Sequence, residues 1–412
     1  MPEATRVVPE RGAQSIDLRS RPRILVYTTQ VRFPGGFENL AFSLAVQLRE
    51  LGQSVVLLTH YSDDQPLDGF DCPHRAMPAQ LAVQSLGMPV RPSFAWCIRG
   101  ALRLRRLVKD LAIDVIEVSG RGPSLLASYA TIGLGVKIVV GVHEVKAQRQ
   151  LANLSWWAWV GARTLCRHTI FYGVSRSAAD AWGRYTFTSS TPVAVVPNSI
   201  DTAFFAPPNA DRIAQIRQSL DCADEDRLIL CAGRLMRLKA QDIVLDAVWP
   251  LLARHKIRLV FVGRLDTEPG DDGSEMSELR DRVATSEIKD RVHFLGARQD
   301  MPDLMAAADV LVHVPRREAF GLVLAEAMAI GLPIIASNVG GIPEVVAGTQ
   351  TVLVPPGDPA ALRIALEDYL IWEPEKRNDC IRVGRERAQD FHPTVRAKAM
   401  LGLISSTEHS RG

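Results

Sequence analysis

The stretch that decides the fold is ILVYTTQVRFPGGFENLAFSLAVQLRELGQSVVLLT, residues 24–59. It begins with the short apolar run ILVYT, which is typical of a buried strand. A turn with two glycines follows, and apolar residues then recur every three or four positions, as along one face of a helix. Gly52 is placed to end that helix, and the run from Val55 to Thr59 predicts another strand. This βαβ order predicts a parallel sheet with helices on both faces.

The same order of elements begins again near residue 228. A strand at Leu228–Cys231 precedes a turn and a helix at Ala240–Leu252. Further strands are predicted at Leu259–Val262, Val292–Leu295, Val310–Val314 and Ile334–Ala336. Between the halves, VPNSID has the proline and asparagine of a linker turn. The sequence therefore predicts an α/β protein with two Rossmann-like, doubly wound domains, residues 23–200 and 201–375, that face a cleft.

The two ends of the chain fall outside these domains. Residues 1–22 are polar and lack the apolar segment of a signal peptide, so we expect a disordered tail. Residues 376–412 contain a charged helix outside any βαβ unit, and we expect it to cross back to the N-terminal domain. The longest apolar run, Phe320–Ala336, is interrupted by Glu326 and Pro333, so no transmembrane helix is predicted.

Composition excludes several classes of protein. Of the 412 residues, 47% are hydrophobic and 23% are charged, which is typical of a soluble globular protein. The net charge of +2 is too small for a dedicated nucleic-acid binder. The six cysteines form no CxxC pair, which argues against a zinc site or disulfide framework and favours a reducing, cytoplasmic location.

Turns at the carboxyl ends of the strands are where a doubly wound fold binds its ligands. Gly35 and Gly36 follow the first strand, where glycine lets an anion approach the backbone and the helix N-terminus. A plain tight turn explains them equally well. Arg234 and Lys239 follow the strand at Leu228, and two cations there can clamp a diphosphate. The simpler alternative is a pair of solvated surface cations.

The segment PRREAFGLVLAE, residues 315–326, places Glu318 in a loop and Glu326 about two turns inside the following helix. Amides near the helix start can face an anion between the two carboxylates. In that order, Glu318, the helix-start amides and Glu326 could hold a sugar, a diphosphate and a ribose. Alternatively, Glu318 only complements the helix dipole and Glu326 lies on an exposed face. His143, at the end of another strand, is a candidate proton donor or a structural histidine.

These residues together resemble the retaining family 4 glycosyltransferases, which have the GT-B fold. The spacing of Glu318 and Glu326 is the family's E-x7-E pattern, and it continues as EAMAIGLPIIASNVGGIPEVV. GRLMRLKAQD resembles the family's Gly-Arg-Leu…Lys-Gly segment, and VPNSID resembles its Val-Pro-Asn-Gly-Ile-Asp linker. FLGARQDMPDLMAAADVLVHVP is similar to its strand–helix–strand. Ser199 and Ala240 stand where the family has glycine.

The resemblance implies a role for each candidate residue. Glu326 would bond the ribose hydroxyls, Glu318 the hydroxyls of the donor sugar, and His143 the sugar near the reaction centre, so His143 and Glu318 are the catalytic candidates. The remaining donor-binding candidates are Gly35, Gly36, Arg234, Lys239, Arg264, Phe320, Gly321 and Leu322. The implied reaction moves a sugar from a UDP- or GDP-sugar to a glycan, lipid-linked or small-molecule acceptor with retention of configuration.

No cofactor or metal is expected. Asp224-Glu-Asp226 is the chain's Asp-x-Asp motif, and its polar surroundings predict a surface position. Residues 91–109 contain six cations and no acid, with Arg99, Arg103 and Arg106 on one helical face. Together with Trp156, Trp157 and Trp159, they suggest peripheral contact with an anionic membrane. A solvated helix and core tryptophans are the equal alternative.

Two other functions remain open at this stage. A sugar-nucleotide epimerase with the GT-B fold shares the donor site and needs no acceptor. A non-catalytic nucleotide-sugar-binding protein would keep the same residues without turnover.

Overall fold

Two parallel sheets organise the protein. The computed structural model describes residues 22–28, 36–61, 81–88, 94–143, 169–185, 193–206, 208–265 and 274–406. The predicted fold class, two Rossmann-like domains of the GT-B type, is confirmed in these residues. The expectations for Gly35, for most of the N-terminal tail and for the three clustered tryptophans concern residues outside these ranges.

The N-terminal sheet has seven strands in the order β3-β2-β1-β4-β5-β6-β7. They are β1 (Arg23–Thr28), β2 (Ser54–Tyr61), β3 (Ala82–Met88), β4 (Val115–Ser119), β5 (Lys137–Val142), β6 (Thr169–Gly173) and β7 (Ala194–Val195). Its helices are α1 (Gly36–Glu50), α2 (Phe94–Asp110), α3 (Arg121–Ala130) and α4 (Arg176–Tyr185). The strand order reverses between β1 and β4, which places a ligand-binding crevice at their carboxyl ends.

The C-terminal sheet has six strands in the order β10-β9-β8-β11-β12-β13. They are β8 (Arg227–Ala232), β9 (Ile257–Val262), β10 (Val292–Phe294), β11 (Val310–His313), β12 (Ile334–Ser337) and β13 (Val352–Val354). Its helices are α5 (Ala210–Ser219), α6 (Gln241–Leu252), α7 (Ser274–Ala284), α8 (Met301–Ala307), α9 (Leu322–Ile330), α10 (Ile342–Val345) and α11 (Pro359–Leu370). Here the order reverses between β8 and β11.

Two helices, where the sequence predicts one, end the described chain. Helix α12 (Pro374–Ala388) packs on α9, and α13 (Pro393–Ser406) packs on α1 of the N-terminal domain. Pro393 explains the break, because the residue before a proline is disfavoured in helical geometry. Lys137 Nζ donates to the carbonyl of Ile404 at 2.6 Å, which ties α13 to β5.

The start of α9 differs from the sequence prediction. Strand β11 ends at His313 and α9 begins at Leu322, after Gly321 with a left-handed φ of 85°. Glu326 therefore lies about one turn inside the helix and not two. The segment between strand and helix is correspondingly longer, and its Ala319 contacts the N-terminal domain.

The two domains touch beside this segment. Ser175 Oγ, just before α4, donates to the carbonyl of Ala319 at 2.6 Å. Glu344 of α10 accepts hydrogen bonds from the amides of Arg176 and Ser177 at 2.6 and 2.8 Å. The carboxylate thus satisfies two amides at the N-terminus of α4, where negative charge is favourable.

Within the part of the chain that the structure covers, no helix combines the length and the apolar character that a membrane span requires.

Candidate donor-binding site

The candidate residues of the C-terminal half follow three neighbouring strands. Arg234 and Lys239 come after β8, Arg264 comes after β9, and Glu318 comes after β11. Because all these strands are parallel, their carboxyl ends meet at one edge of the sheet. The turns that carry these four residues therefore converge at one edge, as the sequence predicts.

An ion pair bridges the reversal of strand order. Lys239 Nζ lies 2.6 Å from Glu318 Oε2, and the two side chains are only 18% and 14% exposed. His313 Nε2 donates to the same carboxylate oxygen at 3.3 Å. The amide of Ala319 donates to the other oxygen, Oε1, at 3.1 Å. Glu318 is therefore held in one orientation by three donors.

The charge of Glu318 is strongly favoured. Burial alone would raise the pKa of this carboxyl, but Lys239 and the hydrogen bond from His313 hold its pKa below the usual range. Burial lowers the pKa of His313, so that imidazole is neutral near pH 7. The result is a fixed carboxylate beside an ammonium, which suits sugar hydroxyls on one side and a phosphate on the other.

Three residues that the sequence analysis did not select hold this site in place. His313 is 3% exposed and orients Glu318 as described. Gln241 Nε2 donates to the carbonyl of Arg234 at 2.8 Å. Arg316 forms a two-fold ion pair with Asp242 at the start of α6, with distances of 2.5 and 3.0 Å.

Ala240 is one of the two departures from the family pattern. It has φ 56° and is fully buried. A left-handed alanine costs about 1 kcal/mol, so the turn that presents Lys239 is kept against this strain. Arg316 supports the turn, since its guanidinium also donates to the carbonyl of Arg237 at 2.6 Å. The side chains of Arg234 and Arg264 are exposed at the same edge.

Glu326 lies on α9 in a mostly apolar setting. Its side chain is half-buried, and burial raises the pKa of its carboxyl to about 7. Among the described residues, no group donates a hydrogen bond to it, in contrast to Glu318. Such a carboxyl is costly to the fold and is suited to accept hydrogen bonds from a ligand.

The donor loop, which we define as residues 318–321, is packed against a tight turn after β12. The amide of Gly341 donates to the carbonyl of Glu318 at 3.1 Å. A Cβ at Gly341 would lie 2.1 Å from the carbonyl oxygen of Ala319 and 2.8 Å from Ser175 Oγ. This glycine therefore allows the close approach of turn, donor loop and N-terminal domain. Phe320 in the loop is 3% exposed and packs on the ring of Phe391 at 5.4 Å.

We expect Gly341→Ala to weaken nucleotide-sugar binding by tenfold or more, because a displacement of about 1 Å at a binding loop has large effects. Gly341 has φ −85°, which alanine adopts readily, so the effect would be steric. Gly402→Ala is the matched control, since Gly402 has no left-handed φ and no atom near its Cβ position. Titration calorimetry on both variants would test this, and wild-type affinity in Gly341→Ala would contradict it.

In the N-terminal domain, His143 and Gly36 occupy the facing edge. Gly36 is the first residue of α1, the helix that follows β1. Strand β1 is the neighbour of β4 at the point where the strand order reverses. His143 follows β5, and its Nε2 lies 3.1 Å from Ser119 Oγ at the end of β4. Burial, followed by the charge of Arg396, lowers the pKa of His143 to about 3. His143 is thus a neutral imidazole near pH 7.

Part of the Asp-x-Asp motif is buried, which corrects the prediction that the motif lies on the surface. Asp226 is 8% exposed and accepts hydrogen bonds from Arg258 Nε at 3.3 Å and from the amide of Ala223 at 3.1 Å. Glu225 instead forms an exposed pair with Lys256 at 2.7 Å. Asp226 is therefore used in the fold. No cluster of three metal-ligating side chains occurs in the described ranges.

Comparison with known proteins places the chain in a family. Residues 212–387 match the model of "Glycosyl transferases group 1", and residues 34–204 match that of "Glycosyltransferase Family 4". The fold resembles that of Anabaena Alr3699/HepE in complex with UDP and glucose, with a TM-score of 0.76 and 21% identity, over 94% of this chain and 100% of that one.

Two curated relatives are similar in sequence over shorter spans. One is the D-inositol 3-phosphate glycosyltransferase of Jonesia denitrificans, 32% identical over 57% of this chain and 56% of the relative. Another is the lipopolysaccharide core biosynthesis mannosyltransferase LpsB of Rhizobium meliloti, 35% identical over 40% of this chain and 46% of the relative. The chain thus spans about half the length of these relatives. Together the two family models cover most of the sequence, and the chain belongs to the group 1, family 4 glycosyltransferases with the GT-B fold.

Proposed function

We propose that the protein transfers a sugar from a UDP- or GDP-sugar to a glycan, lipid-linked or small-molecule acceptor with retention of anomeric configuration. Cell-surface polysaccharide or glycolipid synthesis is the corresponding process. The observation that carries the proposal is the Lys239–Glu318 pair across the strand reversal, in the crevice where doubly wound sheets bind nucleotides. The family membership and the activities of the relatives support it.

The donor would lie along the carboxyl edge of the C-terminal sheet. Glu326 would accept hydrogen bonds from the ribose, and Lys239, with Arg234, would bind the diphosphate. Arg264, Gly36 and the amides from Phe320 to Leu322 would complete the anion site. Glu318, already fixed by its three donors, would orient the sugar hydroxyls.

Retention would follow from attack on the same face that the leaving group departs from. Glu318 is engaged by Lys239 and His313, which makes it a poor covalent nucleophile. The departing phosphate oxygen would instead take the proton of the acceptor hydroxyl, while Lys239 stabilises the negative charge that develops. His143, neutral near pH 7, would hydrogen-bond the sugar near the anomeric carbon. This route uses no metal ion.

A thermal-shift screen against UDP-, GDP- and ADP-sugars is the first test of this function. Selective stabilisation by one nucleotide sugar is expected, since a ligand that binds only the folded state raises its melting temperature. The stabilising donor would then be incubated with and without acceptor preparations. Product formation only with an acceptor supports transfer, an epimerised donor without acceptor supports an epimerase, and binding without turnover supports a non-catalytic role.

Helix α2 carries the proposed contact with an anionic membrane. Ile98 and Leu102 are 48% and 62% exposed, one turn apart, beside the exposed Arg99 and Arg106. Apolar side chains flanked by arginines suit the interface of a membrane with anionic headgroups. Arg103 is less suited to this role than the sequence indicates, because its guanidinium donates to the carbonyl of Leu86 at 3.2 Å.

We expect Arg99→Glu with Arg106→Glu to weaken binding to phosphatidylglycerol vesicles by about tenfold or more, because each basic residue contributes about 1 kcal/mol. Binding to phosphatidylcholine vesicles should be weak for the wild type and for both variants. Arg254→Glu with Lys289→Glu is the control, since these cations are also exposed but lie in the C-terminal domain. Vesicle co-sedimentation measures the effect, and unchanged binding of the arginine variant would remove the membrane proposal.

A further inference from the structure

A network of buried polar side chains lies beneath His143. Glu117 of β4 and Arg396 of α13 are 1% and 3% exposed, although neither belongs to the proposed donor site. Tyr172 of β6 lies between them: its hydroxyl is 2.8 Å from Glu117 Oε1 and 3.5 Å from Arg396 Nη2. Ser119 Oγ is 3.4 Å from Glu117 Oε1 and 3.1 Å from His143 Nε2. These contacts lead without interruption from the C-terminal helix to the imidazole.

The direction of these hydrogen bonds can be assigned by starting from Arg396, because arginine can only donate. Arg396 can only donate, so the oxygen of Tyr172 accepts from it and directs its one hydrogen to Glu117. Burial and the charge of Glu117 raise the pKa of Tyr172, so the phenol keeps this hydrogen. Burial raises the pKa of Glu117, while Arg396 and the hydroxyls of Tyr172 and Ser119 oppose that rise.

The same reasoning extends to Ser119 and His143. A carboxylate only accepts hydrogen bonds, so Ser119 donates its single hydrogen to Glu117. Its oxygen can then only accept from the imidazole, which requires hydrogen on Nε2 of His143. Nδ1 is left as the ring nitrogen that accepts. The hydrogen-bond partners of a histidine determine which ring nitrogen carries hydrogen. For His143 the partner is Ser119, whose orientation is set by Glu117.

The backbone of β5 keeps the network in register. Gly141 lies between the strands of Ser119 and Tyr172. A Cβ there would lie 2.6 Å from the Tyr172 hydroxyl, 2.7 Å from His143 Nε2 and 2.9 Å from Ser119 Oγ. The three polar groups therefore close directly over the glycine, which leaves little freedom to rearrange.

We propose that Arg396 is a positioning residue for His143: its buried positive charge keeps Glu117 an ionised, acceptor-only group, which through Ser119 selects the Nε2–H tautomer and so presents Nδ1 as a hydrogen-bond acceptor. Tyr172, which accepts from Arg396 and donates to Glu117, joins the two charged groups. Arg396 is itself held by the carbonyl of Leu40 on α1 at 3.0 Å. The C-terminal helix thereby supplies a determinant of the catalytic face while contributing no group to the cleft. The significance of this tautomer for catalysis rests on the proposed function, but the tautomer itself does not.

The tautomer can be read directly by NMR of the free protein with ¹⁵N-labelled histidine, using His143→Gln to assign the signal among the nine histidines. In the wild type we expect the Nε2–H form to exceed the Nδ1–H form about tenfold, which is the upper end of what one hydrogen bond to a neutral hydroxyl supplies. Arg396→Met removes the positive charge that favours the ionised form of buried Glu117, and Glu117→Gln introduces a side chain that can donate. In both variants Ser119 is no longer forced to donate to residue 117, so this ratio should fall to near unity or invert. Arg396→Lys keeps a donor-only cation and should retain part of the preference.

Arg385→Met is the matched control, because Arg385 also anchors a C-terminal helix through a carbonyl, that of Ile330 at 2.7 Å, but far from the network in sequence and contacts. An Nδ1–H form in the wild type would overturn the proposal, as would an unchanged ratio in both folded variants. Glu117→Gln is close in shape to the native residue and keeps the test decisive if Arg396→Met does not fold. A normal NMR result in a protein that binds no nucleotide sugar would contradict the proposed function alone.

Discussion

Nucleotide-sugar affinity is expected to be roughly tenfold weaker at pH 6 than at pH 8, because the pKa of Glu326 in the free protein is about 7. Ribose hydroxyls donate to the carboxylate, so binding favours the deprotonated form and is lost as pH falls through that value. The pKa of Glu318 is held below its usual range and that of His143 is about 3, so these two groups keep one state in this window. Calorimetric titration at several pH values measures the effect.

Glu326→Gln should weaken binding at pH 8 by about 1.5–3 kcal/mol and remove the pH dependence, because the amide cannot titrate. Glu367→Gln, an exposed glutamate of α11, is the control and should behave as wild type. A nucleotide sugar is the right ligand here, since a free nucleoside diphosphate carries a terminal phosphate that titrates near pH 6. If Glu326→Gln kept both wild-type affinity and its pH profile, Glu326 would not be the ribose ligand.

The same substitution should stabilise the fold. The pKa of Glu326 is raised above its unfolded value of 4.5 to about 7, so the folded state holds this proton more tightly. Stability contributed by the protonated form is complete below pH 4.5 and is lost as pH rises towards 7. Since the side chain is half-buried, Glu326→Gln should raise the free energy of unfolding at pH 8 by about 1–3 kcal/mol. Urea unfolding of the ligand-free protein tests this.

Lys239→Met is expected to have the largest effect on both stability and turnover. It leaves Glu318 buried without its cation, and loss of one partner of a buried pair costs about 3–5 kcal/mol. It also removes the ammonium that would stabilise the departing diphosphate, an effect of about 10²–10³ in kcat. Urea unfolding and steady-state kinetics with the donor identified by the screen would measure the two effects separately.

The double variant Lys239→Met with Glu318→Gln separates stability from function. Removing the uncompensated charge should restore most of the lost stability, because a neutral pair carries a far smaller cost of burial. Turnover should remain low, since neither the cation nor the carboxylate is returned. If the double variant recovered activity together with stability, the role of Lys239 at the diphosphate would be wrong.

The predictable part of the protein was the part encoded by local spacing. The apolar runs at Val55–Thr59 and Leu228–Cys231 fall within observed strands β2 and β8, because buried parallel strands are almost continuously apolar. The turns after β8 and β11 were also found, since glycine and charge interrupt those runs. In the segment from β11 to α9 the errors lay at the element ends: Val314 lies beyond β11, and α9 starts later than expected because Gly321 adopts a left-handed conformation.

The missed residues depend on contacts between distant parts of the chain. Glu117 interrupts an apolar strand, VIEVS, and an acid in such a run was the available signal for a buried partner. Its partner Arg396 comes from α13, and no spacing rule connects the two positions. His313 was read only as part of a strand, because its role depends on the direction in which Glu318 folds back.

The passage of the last helix onto α1 has a consequence for biosynthesis. Arg396, Met400 and Ile404 are buried against residues from the beginning of the chain, whereas the second domain is assembled from a continuous stretch. During translation, the first domain to emerge from the ribosome must therefore wait, with its α1 surface uncovered, until the final segment has been synthesised. All strands of the C-terminal domain are therefore synthesised before the N-terminal domain receives α13.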